Sequence, residues 1–270
     1  MPTQTSQSAP SGNPMVIRNG QIAELVLNAP DRKNALPLAA WQAIPGLLAE
    51  LARDPDLRVC IVRGAGGKSF CAGADISEFE AIRSTPEAAK RYDDINVAAF
   101  KALKALPVPV IAAIEGPCLG GGLGLALACD LRIAARSAFF AIPAARLGLA
   151  YPPEALGDLL EAVSPSNAKR LLFSAERLTA EKALDMGLVN EVVDDMDLNQ
   201  HINALSKALC ANAPLSLKAA KQAINRLAQP GSQADATADL ANVQVCIDSA
   251  DYREGCRAFL EKRSPVFTGV

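Results

Sequence analysis

Two glycine-rich turns carry most of the chemistry this sequence can offer. "FCAGADI" at residues 70–76 and "GPCLGGGLGLA" at residues 116–126 each follow a short apolar run. Small residues let a ligand approach backbone N–H groups closely, and the second turn opens an apolar helix whose N-terminal end favours developing negative charge. Brought together, two such turns would aim a pair of amides at one oxygen, the arrangement that stabilises an oxyanion. A single cluster of this kind is better explained by tight turns and close helix–strand packing. Two clusters in this order point instead to a ligand.

Other chemistries fail on spacing or on residue census. "GKS" at residues 67–69 suggests a phosphate loop, but the glycine required five positions before Gly67 is Val62. A dinucleotide fingerprint starting at Gly120 meets Leu125 where Gly or Ala is needed, and Asp130 follows too soon to reach a ribose. His201 is the single histidine, so a zinc site, a Ser-His-Asp triad or a Cys-His pair would each depend on it. The seven cysteines (60, 71, 118, 129, 210, 246 and 256) form no Cys-x-x-Cys. An odd number in apolar surroundings predicts reduced, buried thiols.

The 270 residues allow one large or two modest domains at about 100 to 200 residues each. Half of them are apolar and 21% charged, a globular composition with a net charge of −2. With no long basic run, binding to nucleic acid or an anionic membrane surface is not expected. The apolar stretch 105–129 is interrupted by Pro107, Pro109, Glu115 and Pro117 and falls short of the ~20 residues of a membrane helix. Residues 1–14 have neither a basic nor an apolar leader region and read as a disordered polar tail. A cytoplasmic location is expected.

The elements that must position the turns follow from periodicity. Asn19-Gly20 predicts a hairpin with Ala23, Leu25 and Leu27 on its buried face. Residues 37–53 have helical spacing, with a kink or restart at Pro45-Gly46. "RVCIVRG", "VPVIAAIEG" and "LRIAA" read as buried strands. Thr85 and Pro86 start a helix running to about Leu106. Past Pro152 the chain becomes helical, with starts near Pro153, Ser166, Thr179, Met196, Pro214 and Ala234.

"SFCAGADISEF", then "EGPCLGGGLGLALACDLRIAA", "LGLAYP", "AERLTAEKALDMGLVNEVV" and the terminal "DYREGCRAFLEKRSPVF" together resemble the enoyl-CoA hydratase/isomerase (crotonase) superfamily. The resemblance covers most of residues 15–267. It implies an α/β fold, a spiral of β-β-α turns with a carboxy-terminal helical trimerisation segment, which divides the chain into a tail (1–14), a spiral core with an acyl-CoA site (15–205) and an oligomerisation segment (206–270). It also implies acyl-CoA thioesters as ligands, a homotrimer or hexamer as the assembly, and no cofactor or metal beyond the CoA of the substrate.

Carried over by position, the oxyanion donors are the backbone N–H groups of Ala74 and Gly121. Arg32 and Lys33 match residues that meet CoA phosphates, and Ala72, Asp75 and Ile76 match the segment along the adenine and pantetheine. Phe259 and Lys262 resemble residues reaching a CoA site from the terminal helix. Hydratases of the family use two glutamates, at positions that here are Gly124 and Ala144. Neither can move a proton, so the resemblance favours decarboxylase-like or other enolate chemistry over hydration.

A tyrosine similar to Tyr151 stands in bacterial methylmalonyl-CoA decarboxylase, where it would orient a departing carboxylate, although that enzyme has His where this chain has Ala74. Arg146 could steer a carboxylate or pair with Glu154 or Asp158. Glu78, Glu115, Glu154 and Asp158 are the nearest stand-ins for a missing base. The alternatives are a hydratase or isomerase with a relocated acid, and a non-catalytic acyl-CoA-binding protein.

Overall fold

A computed structural model of the chain describes residues 12–228 and 237–270. The first strands, β1 (Met15–Asn19) and β2 (Ile22–Leu27), form the expected antiparallel hairpin, with Gly20 at φ 58° in the turn. Ala23, Leu25 and Leu27 are fully buried on one face. Helix α1 (Leu38–Leu51) runs through Pro45 without a restart. Its apolar face, with Trp41, Ile44 and Leu48 buried, holds it against the core on both sides of that proline.

Strand β3 (Val59–Gly64) leads into the first glycine-rich loop, followed by the short helix α2 (Phe79–Ile82) and the long helix α3 (Pro86–Ala105). Thr85 caps α3 by accepting from the Ala88 N–H, with Pro86 in its first turn. Then β4 (Val110–Ile114) and β5 (Pro117–Leu119) precede α4 (Gly121–Leu127), which the triple-glycine turn opens. Strands β6 (Leu131–Ala135) and β7 (Phe139–Ala141) complete this half.

The rest is mainly helical: α5 (Pro153–Ala162), α6 (Pro165–Ser174), β8 (Leu178–Thr179), α7 (Ala180–Asp185), β9 (Glu191–Val193), α8 (Leu198–Cys210), α9 (Pro214–Ala228), α10 (Thr237–Asp248) and α11 (Ala250–Glu261). The sequence pattern did not distinguish β7, β8 and β9, which have two or three residues each, too few to show a period. The helix start expected at Ala234 and residues 1–11 of the expected tail lie outside the described residues. The division at 205/206 falls inside α8, where Leu205 and Leu209 pack on a second apolar cluster containing Val59, Ile61 and Ile133.

The strands make a six-stranded sheet, β1-β2-β3-β4-β6-β9, and a three-stranded sheet, β5-β7-β8. From β2 to β9 the larger sheet is parallel, with Val62 opposite Ala112 and Ala113 opposite Ile133. In a parallel sheet the loops after successive strands emerge at one edge, so the turns after β3 and β4 meet there. An isolated bridge between Cys71 and Cys118 fastens them together, and a second, Leu36 with Ala74, ties the first turn to the segment before α1.

Candidate active site

Local chemistry shapes the first turn before any ligand is considered. Asn34, fully buried at φ 56°, accepts from the Ala29 N–H and donates to the carbonyls of Ala65 and Ser69 at 3.0 and 2.8 Å. It fixes the loop that β3 feeds. The backbone then ties the first turn to the segment before α1, with Leu36 N–H donating to Gly73 O and Asp75 N–H to Leu36 O, and to the second turn, with Cys71 N–H donating to Pro117 O and Leu119 N–H to Cys71 O.

At the junction the backbones are too close for side chains. A Cβ on Gly73, whose φ is 94°, would lie 2.8 Å from Leu119 O and 3.2 Å from Gly121 N. One on Gly121 would come within 3.0 Å of the Trp41 ring and 3.9 Å of Ala74 N. Neither Ala74 N–H nor Gly121 N–H donates a backbone hydrogen bond among the described residues. Both amides are therefore free at one place, as an oxyanion hole requires.

Those two residues border a cavity of about 110 Å³. Ala72, Gly73 and Gly120 line it beside them, Ile142, Ala144, Leu147 and Tyr151 from the segment after β7, and Arg83, Tyr92, Asp93, Asn96 and Phe100 from α3 and the turn before it. Ala144 offers a methyl. The place of a side chain at 124 is taken by Phe100, whose ring packs edge-on against Trp41 at 5.9 Å.

Tyr151 donates its hydroxyl to the Gly120 carbonyl at 3.2 Å, immediately before Gly121. Burial pushes that hydroxyl well above the ordinary tyrosine value. Arg83 pairs with Asp93 at 2.5 Å and lies 5.2 Å above the rings of both Phe79 and Tyr92. Tyr92 is pushed up to about 12 by burial, against which the neighbouring Asn96 amide and Arg83 charge act.

The remaining expected residues are placed as follows. Ala72 and Ile76 line the cavity, Ile76 with half of its surface exposed. Asp75 pairs with Arg32 and caps the 3-10 turn Ile76–Glu78, and hydrogen bonds from Ser77, foremost its hydroxyl, hold its carboxyl below the ordinary value. Its side chain serves the loop, between Ala74 and Ile76, which line the cavity. Arg32 and Lys33 stay exposed at the mouth of the first turn, and Lys33 O accepts from Ala72 N–H.

Phe259, 84% exposed, borders a different groove between α9, α10 and α11, and Lys262 ends α11 at φ 54°. The structure does not bring these two to the cavity of their own chain. The acids considered as stand-ins are elsewhere too. Glu78 accepts from Leu38 N–H at the start of α1, and Asp158 pairs with Lys104 instead of Arg146. None of Glu78, Glu115, Glu154 and Asp158 lines the cavity.

Sequence reasoning missed Arg83, Tyr92, Asp93 and Asn96. A signal existed: Tyr92, Asn96, Phe100 and Leu103 share the buried stripe of α3, and Asn96 is a polar residue where the helical period calls for an apolar one.

The whole chain is similar to known proteins. The family model described as enoyl-CoA hydratase/isomerase matches residues 17–270. The short-chain-enoyl-CoA hydratase of Clostridium acetobutylicum is 34% identical over 255 residues, spanning 93% of this chain and 95% of its own. The 2,3-dehydroadipyl-CoA hydratase of Escherichia coli is 32% identical over 256 residues, 94% of this chain and 98% of its own. A crystal structure of an enoyl-CoA hydratase/carnithine racemase from Magnetospirillum magneticum superposes with a TM-score of 0.93 at 37% identity, covering 99% of both chains. The paired glycine turns, the two sheets and the terminal helices thus place the chain in the enoyl-CoA hydratase/isomerase family, the crotonase superfamily.

Proposed function

We propose that the protein binds a 2-carboxyacyl-CoA thioester and decarboxylates it through an enolate held by the N–H groups of Ala74 and Gly121. The C–C bond to the carboxylate breaks and CO2 leaves. The electron pair moves into the thioester, placing negative charge on the oxygen facing the two amides, and the α-carbon then takes a proton from water. No general base is required to start this sequence, which suits a cavity whose wall at 124 is an aromatic ring and at 144 a methyl. That pair of replacements is the observation carrying the proposal. Tyr151 acts as a positioning residue, steadying Gly120 and through it the Gly121 donor.

The active unit is proposed to be a homotrimer or a dimer of trimers, in which Phe259 and Lys262 reach the CoA of a neighbouring chain. Exposed apolar side chains on the terminal helices, among them Leu240, Val243, Phe259 and Leu260, support an assembly there. A cytoplasmic setting accords with seven free thiols, and no helix among the described residues is long and apolar enough to cross a membrane.

One observation favours a second reading, hydration or double-bond isomerisation by a relocated acid. Asp93 is the carboxylate lining the cavity, and the named relatives include hydratases. Purified protein incubated with methylmalonyl-, ethylmalonyl- and crotonyl-CoA, followed by mass spectrometry, separates the two. Loss of 44 mass units (CO2) from the first pair with slow water addition to the third supports decarboxylation. Fast crotonyl-CoA hydration, abolished in Asp93→Asn, overturns it. Binding without turnover of any thioester would leave an acyl-CoA-binding protein.

A further inference from the structure

One turn after another, α3 presents Tyr92, Asn96 and Phe100 to the acyl cavity, spaced four residues apart on a single face. Phe100 is what such a face should carry. Tyr92 and Asn96, 3% and 9% exposed, add polar atoms to it. The Tyr92 hydroxyl and the Asn96 amide nitrogen are both buried; the amide faces the hydroxyl oxygen, but neither makes a hydrogen bond of normal geometry among the described residues, and the hydroxyl proton has no acceptor. Native structures hold few such atoms, and each demands a physical reason.

The surroundings supply one. Both groups are donors and both line the cavity. Of the charges that act on Tyr92, Arg83 and Asp93 satisfy each other in the cavity wall, while Glu78 lies outside the cavity lining and accepts from Leu38 N–H. Both atoms are already shut off from solvent, so an alkyl chain filling the cavity would leave them unpaired, whereas an acceptor oxygen would pair with them. A site built this way discriminates strongly against the analogue lacking the oxygen, because its own polar groups are then left unpaired.

We propose that the α3 wall is a subsite for an acceptor oxygen on the acyl group, so that the preferred ligands are CoA thioesters whose acyl part carries a ketone or carboxylate oxygen in addition to the thioester carbonyl. The inference rests on the acyl-CoA reading above and is independent of whether the reaction is decarboxylation. Tyr92 and Asn96 are assigned as specificity-determining residues.

Equilibrium titration of the full chain with butyryl-, acetoacetyl- and succinyl-CoA tests it. These share the CoA moiety and differ in having no extra oxygen, a ketone, or a carboxylate. At least one oxygenated thioester is expected to bind about 10- to 100-fold more tightly than butyryl-CoA, and the tighter of the two identifies the oxygen as ketone or carboxylate. Tyr92→Phe removes one hydroxyl and keeps the ring, so the ratio of oxygenated-thioester to butyryl-CoA affinity should fall several-fold. Asn96→Leu should do the same, and Tyr92→Phe keeps the test decisive if that variant fails to fold. Equal binding of all three thioesters, or a ratio unchanged in Tyr92→Phe, overturns the subsite and leaves the acyl-CoA reading standing. Failure of every thioester to bind overturns both.

Discussion

The Phe100 ring stands where a side chain on Gly124 would have to be: a Cβ built there lies 2.5 Å from Phe100 Cζ and 3.0 Å from two more ring carbons. The ring is itself 4% exposed and packed edge-on against the fully buried Trp41, so it has little room to yield. The absence of a glutamate at 124 is therefore built into the packing of α3 on α4, and restoring the acid is a two-residue problem. Gly124→Val should destabilise by about 1–3 kcal/mol through overpacking. In a Phe100→Ala background that penalty should largely vanish, giving a coupling energy of at least ~1 kcal/mol in a urea-unfolding double-mutant cycle. Additive costs would show that the ring does not hold the site.

Gly121 makes the complementary case, where a side chain meets the core and is expected to harm chemistry as well as packing. Its missing Cβ would meet Trp41 Cζ2 and Cη2 at 3.0 and 3.1 Å. Gly121→Val should displace the turn and lower turnover by more than the ~10²–10³ typical of losing one oxyanion donor. CoA-thioester affinity and the thermal midpoint should fall with it, since Trp41 is core. Parental turnover in this variant would remove Gly121 from the oxyanion hole.

The backbone part of the site was legible because its constraint is written in residue type. Gly73, Gly120 and Gly121 stand where positive φ or near-contact of two backbones leaves no alternative, and the turns that hold them recur in sequence as recognisable strings. The side-chain part was hidden because it depends on which helix faces the turns. Asn96 is 22 residues from Ala74 in sequence, and no local pattern says that α3 leans over the cavity. Charge partners were similarly opaque. Lys104 takes Asp158 across 54 residues, which no sequence spacing could have chosen over Arg146.

The thiols give an alkaline prediction with a definite sign. Burial pushes Cys60 and Cys71 up to about 12 and holds Cys118 and Cys129 above their ordinary value. In the unfolded chain these thiols ionise near pH 9. Their contribution to stability is therefore complete below that pH and is lost as pH rises from about 9 to about 12, at up to about 1.4 kcal/mol per pH unit for each group. The urea midpoint should fall between pH 9 and 10.5, with Tyr92 adding to the loss above 10. In native protein at pH 8 a thiol reagent should label the exposed Cys256 and spare these four. Rapid labelling of Cys71 would contradict the packing.

The carboxy terminus is tied back onto α11 by Asp251, which is 2% exposed and accepts from Thr268 N–H at 2.7 Å and Gly269 N–H at 2.9 Å. Arg58 adds a bond to Thr268 O. Removing residues 251–270 deletes both the helix bearing Phe259 and this clasp. Sedimentation should show a smaller assembly, and acyl-CoA affinity should drop. A truncated chain that keeps parental size and affinity would refute the role of the segment.

Tyr151→Phe decides what the Tyr151 hydroxyl is for. In the structure it donates to Gly120 O, which also accepts from Gly124 N–H at 3.0 Å, so removing the hydroxyl leaves the carbonyl with one partner. The stability cost should sit at the low end of ~0.5–1.5 kcal/mol. Turnover should fall roughly tenfold, about 1.4 kcal/mol, as the Gly121 donor loses its fixed aim, with thioester affinity little changed. No limb of the parent's pH–rate profile should come from Tyr151 below pH 10, because burial raises its hydroxyl above the ordinary value. A hydroxyl that instead touched the departing carboxylate would give a different signature, a loss beyond ~10² in turnover with no change in unfolding free energy. Rates and urea unfolding measured on the same preparation separate the two. The second pattern would move Tyr151 from positioning the turn to contacting the substrate.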